Sequence, residues 1–345
     1  MRYPAFLKEN DTIGFVAPSF GCSFEPYITA FRSALEKFRE RGYRTLLGPN
    51  CYEGSGIGIS NTPALCGKEL NEAYLSEESD ALISCGGGEL MCEVVPYIDF
   101  QSIAKARPKW YMGYSDNTNF TFLSATLADT AAIYGPCAGA FGMEPPHESI
   151  TDALALLEGK SQQVHGYSLW EKESLKDETH PTAPYHVTEK AIHHYMPAEL
   201  RNTGVKIEGR LLGGCMDCLS MLVGTKYDRV QAFAEKYAAD GIIWFLESCD
   251  LNVMSIRRSL WQMKEAGWFT NAKGFLIGRP LHFGEEMMGL DQYSAVTGIL
   301  GEMGLPIIMD LDIGHLPPMM PLITGAKAEV RAIGDEIVID YNFGS

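Results

Sequence analysis

No stretch of this sequence approaches the roughly 20 apolar residues that a membrane-spanning helix needs. Its first residues, Met1-Arg-Tyr-Pro-Ala-Phe-Leu-Lys-Glu-Asn-Asp11, carry no apolar core of the kind a secretory signal uses. Basic residues are scarce: 28 Lys and Arg stand against 44 Asp and Glu, a formal net charge of -16. Nucleic acid and anionic membrane surfaces both call for the opposite sign, so neither is expected as a partner. Long acidic runs are missing too, and the charge is read as a solvated coat that aids solubility. The nine cysteines are scattered and odd in number, which fits reduced thiols and a cytoplasmic protein. Repeats and low-complexity tracts are absent. So are the lysine of a Walker loop and a G-x-G-x-x-G after the first strand-like run.

What remains is an ordinary globular composition, 46% hydrophobic and 21% charged, over 345 residues, a length comfortable for two domains. Thr12–Ala17 is a short apolar run closed by Pro18-Ser19 and predicts a buried strand. Ile28, Phe31, Leu35 and Phe38 recur at helical spacing before Gly42. Further strands are expected at Tyr43–Leu47, Ala81–Cys85 and Ala131–Tyr134, with a polar helix over Pro63–Leu75. Strands alternating with helices imply an α/β fold built on a parallel sheet covered on both faces. From about Lys160 to Asn202 the chain turns polar and irregular, with four of the eight histidines between His180 and His194. This segment is expected to be a crossing between domains. Beyond it, strands are predicted at Ile207–Leu212, Ile242–Leu246, Gly274–Gly278 and Pro306–Met309, and a helix over Ile256–Ala266. The tail alternates around Gly334-Asp335 as a hairpin. The division is therefore 1–160, a crossing at 161–204, and 205–345.

The most informative segment is Lys109-Trp-Tyr-Met-Gly-Tyr-Ser-Asp-Asn-Thr-Asn-Phe120. An apolar run ends at Gly113, which allows a sharp turn, and Ser115 follows where a helix would begin. There a hydroxyl stands beyond the strand end, near backbone N–H groups able to hold an anion, as in a nucleophile elbow. The plainer alternative is that Ser115 or Asp116 caps the helix. In a parallel sheet, sites lie beyond the carboxyl ends of the strands, and the triplet Gly86-Gly-Gly88 falls there as well. Its consecutive N–H groups, with that of Asp116, can receive an oxyanion; a phosphate-binding turn is the alternative.

A serine nucleophile needs a base, and the base an orienting group. His315 sits in Asp310-Leu-Asp-Ile-Gly-His-Leu-Pro-Pro318, after a strand and on a loop stiffened by two prolines; His282 is its rival. Glu247 ends an apolar strand and suits the orienting role, or it pairs with Arg257 or Arg258. The adjacent His193 and His194 lack the surroundings of a metal site and are expected at the surface. Cys215-Met-Asp-Cys218 is a C-x-x-C, but a zinc site would need a second ligand pair and a redox motif a different context.

Four ordered segments then converge. Gly113-Tyr-Ser-Asp116, Gly209-Arg-Leu-Leu-Gly-Gly214, Phe245-Leu-Glu247 and Asp312-Ile-Gly-His315 resemble the signature segments of the LD-carboxypeptidase family of serine peptidases. Asp11-Thr-Ile-Gly-Phe-Val-Ala-Pro-Ser19 is similar to that family's opening strand, and Pro96-Tyr-Ile-Asp-Phe100 to its microcin C self-immunity branch. The resemblance implies a Rossmann-like N-terminal domain and a swivelling C-terminal β/α domain, usually as a homodimer. It implies Ser115 as nucleophile, His315 as base, Glu247 as orienting carboxylate, and an oxyanion hole from Gly86, Gly87 and Asp116. Neither metal nor organic cofactor is implied. Where the family commonly has Asn-Leu after the double glycine, this chain has Cys215-Met216. The implied substrate is a murein tetrapeptide losing its terminal D-alanine. The alternative is a peptidyl or aminoacyl nucleotide amide, for which Trp170 is a candidate stacking residue. A catalytically idle peptide- or nucleotide-binding protein and a redox role for Cys215 and Cys218 are the readings from other classes.

Overall fold

The run Thr12–Val16 forms a strand with all five residues buried, as expected of a sheet covered on both faces. The helix Tyr27–Glu40 turns Ala30, Phe31, Ala34, Leu35 and Phe38 inward. Phe31 and Phe38 meet the ring of Phe15 at centroid distances of 5.4 and 5.7 Å. Each such ring stabilises the contact by about 1.5–3 kcal/mol through burial. The computed structural model describes residues 1–343, and its contacts divide the chain into two units.

The first unit comprises Met1–Ser161, Glu173–His186 and Pro321–Ile323. Its sheet has the strand order Leu322–Thr324, Ala132–Tyr134, Trp110–Gly113, Ala81–Ser84, Thr12–Val16, Arg44–Leu47. The last five strands in that order are parallel. Chain order reverses between Ala81–Ser84 and Thr12–Val16. At such a switch point the loops leaving neighbouring strands diverge and open a crevice at their carboxyl ends. The loops leaving this pair are Ala17–Phe20 and Cys85–Gly88, and Phe20 forms an antiparallel bridge with Gly86.

The second unit comprises Gln162–Lys172, Val187–Met320 and the chain from Thr324 onward. Four parallel strands, Val205–Cys215, Ile242–Glu247, Ala272–Gly278 and Ile307–Leu311, form the middle of an eight-stranded sheet. Val205–Cys215 is longer than its apolar core suggested, because its first half pairs antiparallel with Lys327–Ile333. The tail is a hairpin of Lys327–Ile333 and Glu336–Asn342.

The polar segment expected as a crossing is shared between the units. Gln163–His165 and His194–Met196 are the two outermost strands of the second sheet, whereas Glu173–His186 belongs to the first unit. The expectation that His193 and His194 are both surface residues is corrected. Strand alternation sends the two rings to opposite faces. His193 is 1% exposed, neither ring nitrogen has a hydrogen-bond partner, and burial pushes its pKa down to about 4. His194 is half-exposed and lies 2.9 Å from a carboxylate oxygen of Asp310.

Candidate active site

The strand Trp110–Gly113 is wholly buried, and Tyr114 carries the chain out of the sheet in an extended conformation. Ser115 then adopts φ +62, left-handed backbone that costs an L-residue roughly 1–2 kcal/mol. A tight turn over Ser115–Asn117 leads into the helix Thr118–Ala128. The helix thus begins three residues later than the serine's expected position at its start. Strain of this kind at a strand-to-helix turn is what lifts a nucleophile's hydroxyl clear of the sheet.

The glycine loop lies against this turn. A Cβ on Gly87 would sit 3.0 Å from Ser115 Cβ and 3.1 Å from its Oγ, so only glycine lets the two backbones approach this closely. The Gly86 carbonyl accepts from Asn117 Nδ2 at 2.9 Å and from Ser84 Oγ at 3.0 Å. In a planar trans peptide the following N–H points the opposite way. Holding that carbonyl therefore aims the Gly87 N–H away from Asn117. Asn117 also donates to the Tyr114 carbonyl at 3.0 Å and accepts from the Tyr111 hydroxyl. The Ser115 N–H donates to the Tyr134 hydroxyl at 3.2 Å. Asp116 is 3% exposed, and its carboxylate accepts from Ser19 Oγ at 2.5 Å, the Met91 N–H at 2.9 Å and Asn119 Nδ2 at 3.0 Å. Its side chain therefore ties its own turn and the helix that follows to the segments at Ser19 and Met91. Sequence analysis gave Asn117, Ser84 and Ser19 no role; the polar cluster Ser115-Asp-Asn117 hinted at the first alone.

In the second unit, Glu247 is fully buried at the tip of its strand, and its Oε2 lies 2.9 Å from His315 Nδ1. Gly314, at φ +109, makes this possible, since a Cβ there would meet Glu247 Oε2 at 2.5 Å. Burial alone would lower the His315 pKa. The charge of Glu247, and hydrogen bonds with Cys249 and Glu247, outweigh it and hold the imidazole well above its usual range. The loop that carries His315 is braced from below. Arg279 and Asp312, 1% and 0% exposed at the side chain, form a buried ion pair. Arg279 Nη1 also donates to the Asp310 carbonyl at 2.8 Å, and Asp312 accepts the Tyr167 N–H at 2.6 Å. A carboxylate holding one imidazole nitrogen leaves the other to take up a proton, the arrangement a general base requires.

Residues 13–135 match the LD-carboxypeptidase N-terminal domain, and residues 208–330 match the LD-carboxypeptidase C-terminal domain. The chain belongs to the LD-carboxypeptidase family. It is similar to the microcin C7 self-immunity protein MccF of Escherichia coli, 25% identical over 333 residues, 94% of this chain and 91% of that one. It is equally similar to a probable murein peptide carboxypeptidase of Bacillus subtilis (strain 168), 25% identical over 345 residues, 98% of this chain and 94% of that one. Among solved structures, MccF in complex with glutamyl sulfamoyl guanosine superposes with a TM-score of 0.80 at 21% identity, covering 99% of each chain. The mixed α/β architecture with parallel-strand sheets in two domains is common to this chain and that structure.

Within each unit, the neighbouring side chains take the following places. His282 is exposed, whereas His315 is bonded to a buried carboxylate. Arg257 donates to the Ser294 carbonyl and Arg258 to that of Met254, so neither takes Glu247. Cys215 and Cys218 are not joined in a disulfide, and between them Asp217 accepts from Cys215 Sγ at 3.3 Å, the Cys249 N–H at 3.0 Å and the Asp250 N–H at 2.9 Å. Trp170 is 4% exposed, with Arg279 5.1 Å over its ring and Phe283 5.0 Å away. A ring enclosed in this way offers no face to a base, which corrects its candidacy. Among the described residues, no group of three or more His, Cys, Asp or Glu side chains is placed to hold a metal ion, and no helix is long and apolar enough to cross a membrane.

Proposed function

We propose that this protein hydrolyses a peptide amide through an acyl-enzyme on Ser115. His315 takes the hydroxyl proton as Ser115 Oγ attacks the carbonyl carbon. Glu247 holds the imidazole and stabilises the imidazolium, and the amides of Gly86, Gly87 and Asp116 receive the oxyanion. The imidazolium then protonates the leaving amine as the C–N bond breaks. Water, deprotonated by the same histidine, releases the acid and regenerates Ser115. The observation that carries this mechanism is the left-handed Ser115 pressed against Gly87, a strained arrangement that a mere helix cap does not need.

For the substrate we favour a murein tetrapeptide losing its terminal D-alanine, in keeping with the Bacillus subtilis relative named a murein peptide carboxypeptidase. The second candidate is a peptidyl or aminoacyl nucleotide amide, favoured by the solved relative that holds glutamyl sulfamoyl guanosine. A homodimer in the cytoplasm belongs to the same proposal, and sedimentation analysis checks the dimer. The deciding experiment is mass spectrometry of products after wild type and Ser115→Ala are incubated with murein tetrapeptide and, in parallel, with a peptidyl-adenylate analogue. Loss of D-alanine with wild type alone supports the carboxypeptidase. Cleavage of the nucleotide conjugate alone moves the protein to the self-immunity reaction. Cleavage by Ser115→Ala at the wild-type rate removes the serine mechanism.

A further inference from the structure

The N-terminal unit exposes aromatic surface close to Ser115 that neither packing nor the proposed hydrolysis accounts for. Phe24 is 52% exposed and Tyr27 41% exposed, at the start of the helix Tyr27–Glu40. Single exposed rings are commonplace, but these are not single. Phe20, Phe24 and Tyr27 form a closed triangle of edge-on contacts, with centroid separations of 5.4, 5.2 and 5.3 Å. Such a cluster holds its members rigid, so a ligand that packs on it costs little side-chain entropy.

The triangle adjoins the glycine loop. Phe20 bridges Gly86, and a Cβ on Gly86 would lie 2.9 Å from Phe20 Cδ1. The next residue, Gly87, is the one packed on Ser115. A ring bound against the cluster would therefore belong to the substrate whose amide is at the serine.

The cluster also has a cation of its own. Lys176 Nζ sits 5.6 Å above the ring of Tyr27. Burial lowers its pKa, and among the described residues no carboxylate forms an ion pair with it. A partly buried cation in that position gains most from an anion brought by a ligand.

We propose that Phe20, Phe24 and Tyr27, together with Lys176, form a substrate-recognition surface for a planar aromatic group that carries a negative charge. The inference rests on Ser115 marking the reaction site and on a substrate that carries a ring, as a nucleotide amide does and a murein tetrapeptide does not, but its test does not require catalysis. That chemistry has two sources, an aromatic amino acid with its carboxylate or a nucleobase with its phosphate.

The test is calorimetric binding to Ser115→Ala of N-acetyl-phenylalanine and of adenosine monophosphate, with adenosine and inorganic phosphate as single-feature controls. One of the two ring-plus-acid probes is expected to bind more tightly than either control. Phe24→Ala should weaken that probe about tenfold, the usual scale for losing one stacking ring. Lys176→Gln should weaken it to a similar extent and leave adenosine unaffected. Unchanged affinity in both variants, or no binding of either probe, overturns the proposal. So does a Phe24→Ala variant whose one altered property is its sedimentation mass, which would make the surface a contact between copies of the chain. A Ser115→Ala protein that still hydrolyses substrate would refute the serine mechanism and leave these binding results to stand or fall separately.

Discussion

His315 Nδ1 lies 2.9 Å from Glu247 Oε2, with the carboxylate fully buried beneath it. The pair raises the imidazole pKa above the free value of about 6.5. A base must be neutral to work, so the acid limb of kcat/KM should fall above the usual imidazole range. Glu247→Gln removes the negative charge, and its limb should move to lower pH while the maximal rate drops. The same pair contributes to stability in the opposite sense. A raised folded-state pKa gives a contribution present in full below the unfolded value and lost as pH rises through the folded one. Denaturant titrations against pH should show wild type losing, across that window, an advantage over Glu247→Gln.

Ser115 bears left-handed strain that glycine would not. Ser115→Gly should therefore unfold at higher denaturant than wild type, a gain of about 0.5–1 kcal/mol after glycine's extra chain entropy is counted. Ser115→Ala keeps the strain and should show no gain. Both should be inactive, and a Ser115→Gly protein less stable than wild type would refute the strained turn.

Gly87→Ala places a methyl 3.0 Å from Ser115 Cβ. One or the other must move, and the donor geometry of the loop moves with it. A fall in kcat on the order of 100-fold is expected, the scale of losing one oxyanion donor. Circular dichroism should show an intact fold.

Asn117→Ala frees the Gly86 carbonyl and leaves the buried Tyr111 hydroxyl without its acceptor. Stability should fall by about 1–3 kcal/mol. Kinetically, kcat should fall while KM holds, because the lost contact aims a backbone donor and does not touch bound substrate.

Arg279→Met strands the buried carboxylate of Asp312 beneath the His315 loop. Removing one member of such a pair costs about 3–5 kcal/mol, so the melting temperature should drop steeply. A variant as stable as wild type would mean that the loop is held by other contacts.

The clearest sequence signals were local. Thr12–Val16 and Ile242–Glu247 stood out because a strand buried on both faces must be apolar throughout, and the helix Tyr27–Glu40 because its inward face repeats at 3.6 residues. The turn at Ser115 was visible from the glycine and polar residues that close its strand. The segment from 161 to 204 was misjudged for the converse reason. His193 and Trp170 sit in polar surroundings along the chain, yet edge pairing with distant strands buries the one, and Arg279 with Phe283 encloses the other.

The sequence by itself determined the alternation of elements, the two-part organisation and the segments that mark the family. The first two follow from periodicity and composition and the last from resemblance to known segments, each a property of neighbours along the chain. Tertiary structure alone decided that Asn117 holds the Gly86 carbonyl, that Arg279 braces the His315 loop through Asp312, and that Asp217 ties the chain at Cys249 and Asp250. Each of those contacts joins residues more than 30 positions apart. Such contacts depend on which loops the sheet order brings together, and a buried polar group takes whichever partner that order supplies.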